Sequence, residues 1–175
     1  MWTILAAFFL IAFVTAFLLL IVRLNNKDKN REHAELVNRF RQLAKDHDLC
    51  MIDEEIMDNL AIGLDDEKRK FLVLKRLSRN NYESAVVDLN EVTSSEKREV
   101  YGRVYPERYA TLKDVMQLEK IVLELEFEDE RKPLQISFYD FIENSDHEIG
   151  EMKKKARRWE TLLFNLKRSQ ERKRA

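Results

Sequence analysis

Lys68-Arg69-Lys70, with Lys75, Arg76 and Arg79 close behind, is the first place where residue types and spacing suggest chemistry. Adjacent guanidinium and ammonium groups hold phosphate or carboxylate oxygens through charge-assisted hydrogen bonds, so this turn is a candidate anion site. A solvated hairpin face is the competing reading. A second basic group begins at Lys153, with ten Lys or Arg against Glu160 and Glu171, a net +8. Within it Lys167, Arg168, Arg172, Lys173 and Arg174 lie beyond the last apolar position, Leu166. These five are candidates for anionic lipid headgroups, with a frayed, soluble helix end as the alternative. Residues 119–151 oppose them with eleven acids against Lys120, Arg131 and Lys132, a net −8. Such asymmetry steers partners or holds helix to sheet.

Other chemistry is poorly supplied. His33, His47 and His147 are scattered, whereas a metal needs ligands that converge. Cys50 sits between Leu49 and Met51-Ile52 and reads as a buried structural thiol. Glu124, Glu126, Glu128, Asp129 and Glu130 read as a solvated strand face and turn, not as a cleft that splits two carboxyl pKa values. No phosphate-loop, dinucleotide or nucleophile-elbow motif occurs. No catalytic residue, metal ligand or cofactor is therefore assigned. A net charge of −1 and the lack of an RNA-binding aromatic motif argue against nucleic acid.

The elements that must position these groups begin with an uncharged stretch over 1–22, about 33 Å long as a helix and comparable with a hydrocarbon core of roughly 30 Å. It lacks the basic start and small-x-small site of a cleaved signal, so it predicts a single-pass transmembrane anchor. Seven Lys or Arg follow between Arg23 and Lys45, which places the N-terminus outside and the rest in the cytoplasm at the inner membrane. After a polar hinge at Asn25-Asn26-Lys27-Asp28, residues Leu36, Val37, Phe40, Leu43 and Ala44 form one helical stripe ending near His47. That stripe packs either on the chain's own domain or, through Leu36, Phe40 and Leu43, against a second copy.

Asp53 reads as the N-cap of a short helix. From Asn59 the period becomes that of strands. Ala61-Ile62-Gly63-Leu64 and Phe71-Leu72-Val73-Leu74 flank the turn at Asp65-Asp66-Glu67-Lys68, and 83–89 alternates. Residues 97–105 form a weaker strand in which Gly102 marks a bulge. A loop follows over 105–109 and a brief helix over 111–117. Ile121, Leu123, Leu125 and Phe127 face inward from the clearest strand, and Leu134, Ile136 and Phe138 from the next. Ser145 and Glu148 fit a capping box ahead of Ile149, Met152, Ala156, Trp159, Leu163 and Leu166, one apolar helix face.

This order of strands, hairpin and helix resembles the bacterial pleckstrin-homology-like domain over residues 59–166. The residues that carry the resemblance are Ala61-Ile62-Gly63-Leu64-Asp65, Val87-Asp88-Leu89-Asn90-Glu91-Val92 and Trp159. It implies an antiparallel, partly open barrel plugged by its C-terminal helix, and only an anion site at Lys68, Arg69 and Lys70. The polar strand over 97–105 and the long loop after it depart from the family pattern. A plain α+β domain, one helix covering an antiparallel sheet, is the alternative. The expected organisation is thus α+β: a transmembrane helix (1–22), a helical connector (23–58), the barrel (59–166) and a basic tail (167–175). The expected role is a non-catalytic module that binds a protein or lipid headgroup at the membrane. A structural subunit oligomerising through the anchor and the helix over 36–44 is the alternative.

Overall fold

The computed structural model describes the backbone of residues 2–78, 80–104, 115–129 and 131–174, and side chains of 13–15, 17, 20, 23, 27, 30–78, 80–102, 116–129 and 131–169. The fold is α+β, with two antiparallel sheets and a C-terminal helix. Helix α1 (Trp2–Asp46) is followed by strands β1 (Asp53–Ile56), β2 (Leu60–Asp65), β3 (Lys70–Ser78) and β4 (Asn81–Asp88). These four form one sheet in sequence order. Strands β5 (Val92–Val104), β6 (Val115–Phe127) and β7 (Leu134–Asp140) form the second. A single 3₁₀ turn then leads into helix α2 (Ile149–Arg174).

Helix α1 runs about 67 Å without a break. The hinge expected at Asn25-Asn26-Lys27-Asp28 is absent, because the segment holds neither Gly nor Pro and Asn costs a helix only tenths of a kcal/mol. Among the described residues no helix is long and apolar enough to cross a membrane. This corrects the single-pass transmembrane anchor over 1–22, and with it the outside N-terminus and the inner-membrane location. The helix does not stop at Val22 but continues through a charged stretch, and most apolar side chains behind the expectation lie outside the described residues. The helix ends in a Schellman motif. Leu49 N donates to Ala44 O (2.7 Å), Asp48 N donates to Lys45 O (2.9 Å), and Asp48 takes the left-handed conformation at φ 52°.

The last turns of α1 lie on the outer face of the first sheet. Leu36, Phe40 and Ala44 are buried against Ala61, Leu72 and Leu74, with Leu43, Leu49 and Met51 at the margin. On the other face, Leu60, Ile62, Leu64, Phe71 and Val73 join Ile121, Leu123, Leu125, Ile136 and Phe138 in the main core. Strands β2 and β3 are thus covered on both sides, which is why their sequences read as continuous apolar runs rather than alternating ones. Gly63 permits the close approach of α1: a Cβ there would lie 2.7 Å from Phe40 Cζ and 2.8 Å from Met51 Sδ.

Helix α2 fills the open side between the two sheets. Trp159, completely buried, meets the Phe71 ring at 5.5 Å, and Met152, Ala156 and Leu163 extend the same face. Arg158 pairs with Asp53 and Glu55 of β1, and Lys155 with Glu55 at 3.3 Å. On the other flank Glu160 accepts from Lys97 N of β5 (2.8 Å), and Lys153 pairs with Glu99 (2.8 Å). These bridges explain why Asp53 starts a strand and not the expected helix. Pairing with β2 and carboxylate contacts to α2 outweigh a local capping preference.

Four smaller expectations are also corrected. Ser145 makes no side-chain cap; its hydroxyl meets His147 Nδ1 (2.7 Å), while Glu148 accepts from Asn144 Nδ2 (3.1 Å). Gly102 stays in register opposite Gln117; the extra residue is Glu119 on β6, whose carboxylate occupies the space that a Cβ on Gly102 would take. Residues 115–117 belong to β6, not to a helix, and the loop expected over 105–109 lies outside the described residues. Cys50 is exposed rather than buried, its backbone N–H held by Asp65 Oδ2 at 2.8 Å.

Candidate functional site

The first basic cluster does not converge on an empty anion site. Lys68 is paired with the side chain and backbone carbonyl of Asp48, just past the end of α1. That contact holds the Asp48 carboxyl below its ordinary range and raises the Lys68 ammonium. Lys70 donates to Asp88 Oδ2 at 2.7 Å. Burial works to raise the Asp88 carboxyl, but Lys70 and the backbone of Asn90 together bring it below the usual value. Arg69 has a left-handed backbone at φ 53° and its carbonyl accepts from Leu89 N. Arg76 reaches Glu32 of α1 at 2.8 Å and the Asp58 carbonyl at 3.0 Å. The cluster is thus mostly knitted into the fold, fastening α1 and β4 to the hairpin. Arg79 lies outside the described residues.

The tail is divided. Lys167 donates to the Thr93 carbonyl of β5 and so closes part of that strand's free edge, while Arg168 is exposed. The side chains of Arg172, Lys173 and Arg174 lie outside the described residues. Of the proposed oligomer contacts, Leu36 and Phe40 are fully buried within the chain itself and Leu43 is half-buried beside them.

Glu124, expected to face water, is only 5% exposed. Arg98 Nη1 lies 2.9 Å from one carboxylate oxygen and Gln135 Nε2 donates to the other at 2.8 Å. As the central strand, β6 has neighbours on both sides whose long side chains fold across it, a placement that an alternating pattern cannot reveal.

A cleft of about 230 Å³ opens where α1, the β1–β2 turn and the start of α2 meet. Its polar lining includes His33, Asp58, Asn59, Glu148, Glu151 and Lys155. Lys155 is held by Glu55 and Glu151, and Asn59 by Glu143. Among the described residues no group of His, Cys, Asp and Glu is arranged to hold a metal ion.

The surface that stands out is apolar. At the end of the second sheet beside the start of α2, Ile142 is 89% exposed and Met116 59%, with Tyr101 and Phe141 also in solvent. Antiparallel register puts Met116 opposite Arg103 and Leu118 opposite Tyr101, so Tyr101 and Met116 share a face of the β5–β6 hairpin. Phe141 N donates to Glu119 O at 2.9 Å, which brings the β7–α2 turn against the same hairpin. The turn is well fixed. Asp140 accepts from Ile142 N (3.0 Å) and pairs with Lys120 (3.1 Å), and these contacts outweigh burial to hold its carboxyl below the ordinary value. Beneath it Glu99 takes hydrogen bonds from Lys153, Lys97 and Tyr101, which lower its carboxyl to about 2. Sequence reasoning passed over these residues. The available signal was Phe141-Ile142, two consecutive large apolar residues in a turn bounded by Asp140 and Asn144.

No family model, curated protein or solved structure matches the chain.

Proposed function

We propose that this chain is a non-catalytic protein-binding module built on a pleckstrin-homology-like domain. The order of four strands, three strands and a helix against the open side supports the domain reading. The apolar end of the second sheet carries the functional one. Large apolar side chains that are exposed together on fixed backbone mark interaction sites more often than single scattered ones. Pairing of Lys68 with Asp48 and of Lys70 with Asp88 weighs against the headgroup version, since an incoming phosphate must compete with carboxylates already in place. Burial of Leu36 and Phe40 weighs against the oligomerising alternative.

The test is a photo-crosslinking residue placed at Met116 or Ile142 of the full chain in living cells, with Glu67 as a remote control. Discrete protein adducts at the first two positions, absent from Glu67 and lost on Tyr101→Ser, are the expected result. Equal labelling at all three positions would refute the reading.

A further inference from the structure

Helix α2 presents a second surface, opposite its buried face. Lys154, Arg157, Thr161, Phe164 and Arg168 follow one another at spacings of three and four and are all exposed. They form a single stripe about 21 Å long at 1.5 Å per residue. Lys154, Arg157 and Arg168 form no ion pair among the described residues, whereas the basic residues on the helix flanks do: Lys153, Lys155 and Arg158. Phe164, 58% exposed, lies between two of the unpaired cations. The stripe is bordered by acids on both sides. Glu151, three residues before Lys154, stands on one flank, and Glu160, three residues after Arg157, on the other.

We propose that this stripe docks an acidic, linear segment of a partner protein, one helix or strand wide, with an apolar side chain seated on Phe164. The proposal rests on the protein-binding reading above and adds a second surface and the chemistry of its occupant. Charge complementarity selects an acidic occupant, and the flanks select a narrow one. An anionic lipid plane or a nucleic-acid duplex is wider than one helix and would bring its negative charge over Glu151 and Glu160, each an i,i+3 neighbour about 5–6 Å from a stripe cation and so within a Debye length of about 8 Å. A single peptide strand meets only the cations. At roughly 3.3 Å per residue, six or seven extended residues cover the stripe.

The experiment uses the full chain and a short fluorescent peptide in which Glu residues flank a central Leu-Phe pair, with the Gln counterpart as control. Binding by the Glu peptide alone is expected, weakening as salt rises. The double variant Lys154→Glu/Arg157→Glu should weaken it at least tenfold, and Phe164→Ser should weaken it without changing the salt dependence. All three side chains are exposed, so an unchanged melting temperature will show that the fold is kept. Anionic vesicles and duplex DNA are run in parallel. Binding to either that the double variant abolishes, with no binding of the Glu peptide, overturns the proposal, as does peptide binding indifferent to the double variant. Silence from the peptide while crosslinks at Met116 and Ile142 persist refutes this inference and leaves the module reading standing. Peptide binding without those crosslinks does the reverse.

Discussion

Gly63 and Phe40 offer the sharpest test of how α1 belongs to the domain. Phe40 is fully buried on the outer face of the first sheet, its ring tip where a Cβ on Gly63 would have to go. Phe40→Ala removes a buried ring and should cost about 3–5 kcal/mol, much of a domain's usual 5–15 kcal/mol. Gly63→Ala inserts a methyl into filled space. Overpacking of this kind costs about 1–3 kcal/mol, against which the stiffer unfolded chain returns about 0.4–1 kcal/mol. Gly63 does not have a positive φ, so no backbone strain enters. In the Phe40→Ala background the ring is gone and only the flexible Met51 must move. There Gly63→Ala should be neutral or mildly stabilising. The two substitutions are therefore non-additive, with a coupling of about 1–3 kcal/mol. Denaturant unfolding of the four full-length proteins measures it, read from midpoints at constant m, with light scattering to follow mass. Equal costs for Gly63→Ala in both backgrounds, within about 0.5 kcal/mol, would refute the packing argument. A fall in mass on Phe40→Ala at unchanged stability would show that the stripe joins two copies.

Trp159→Ala should cost about 3–5 kcal/mol in the same assay, but Trp159→Phe much less, because the buried indole N–H has no hydrogen-bond partner among the described residues and its loss breaks nothing polar. Glu99 sets an acid limb. Its folded carboxyl, lowered from 4.5 to about 2, contributes stability that is present above pH 4.5 and is lost as pH falls towards 2. Glu99→Gln should flatten the stability curve across that window, and an unchanged slope would mean that the Lys153–Glu99–Lys97 contacts do not hold α2 to β5. Arg98→Ala leaves the buried Glu124 carboxylate with only Gln135, so it should destabilise more than the double variant Arg98→Ala/Glu124→Gln. Thermal melts that rank the two the other way would discount the pair.

Much of the fold is legible in the sequence alone. Alternation from Leu123 to Glu128 identifies the strand that the sheet order then makes central, and the spacing from Ile149 to Leu166 identifies the last helix and turns Trp159 inward. Periodicity works there because it records which side of an element is apolar, a property of consecutive residues. It does not record what lies opposite. Asp53 becomes a strand because β2 and α2 lie beside it, 105 residues separating it from Arg158. The apolar stripe at Leu36 and Phe40 fits a second copy as well as it fits a sheet face, and only Ala61, Gly63 and Leu72 at the contact decide between them. The candidate sites depend still more on tertiary structure. Lys68 and Lys70 read as free cations until Asp48 and Asp88 arrive from 20 and 18 residues away. Glu124 reads as solvated until Arg98 and Gln135 close over it from neighbouring strands. Composition and spacing determine which groups a chain possesses. Long-range pairing decides which are neutralised inside the fold and which, like Ile142 and Arg157, remain exposed, because electrostatic and packing energies depend on distance in space and not along the chain.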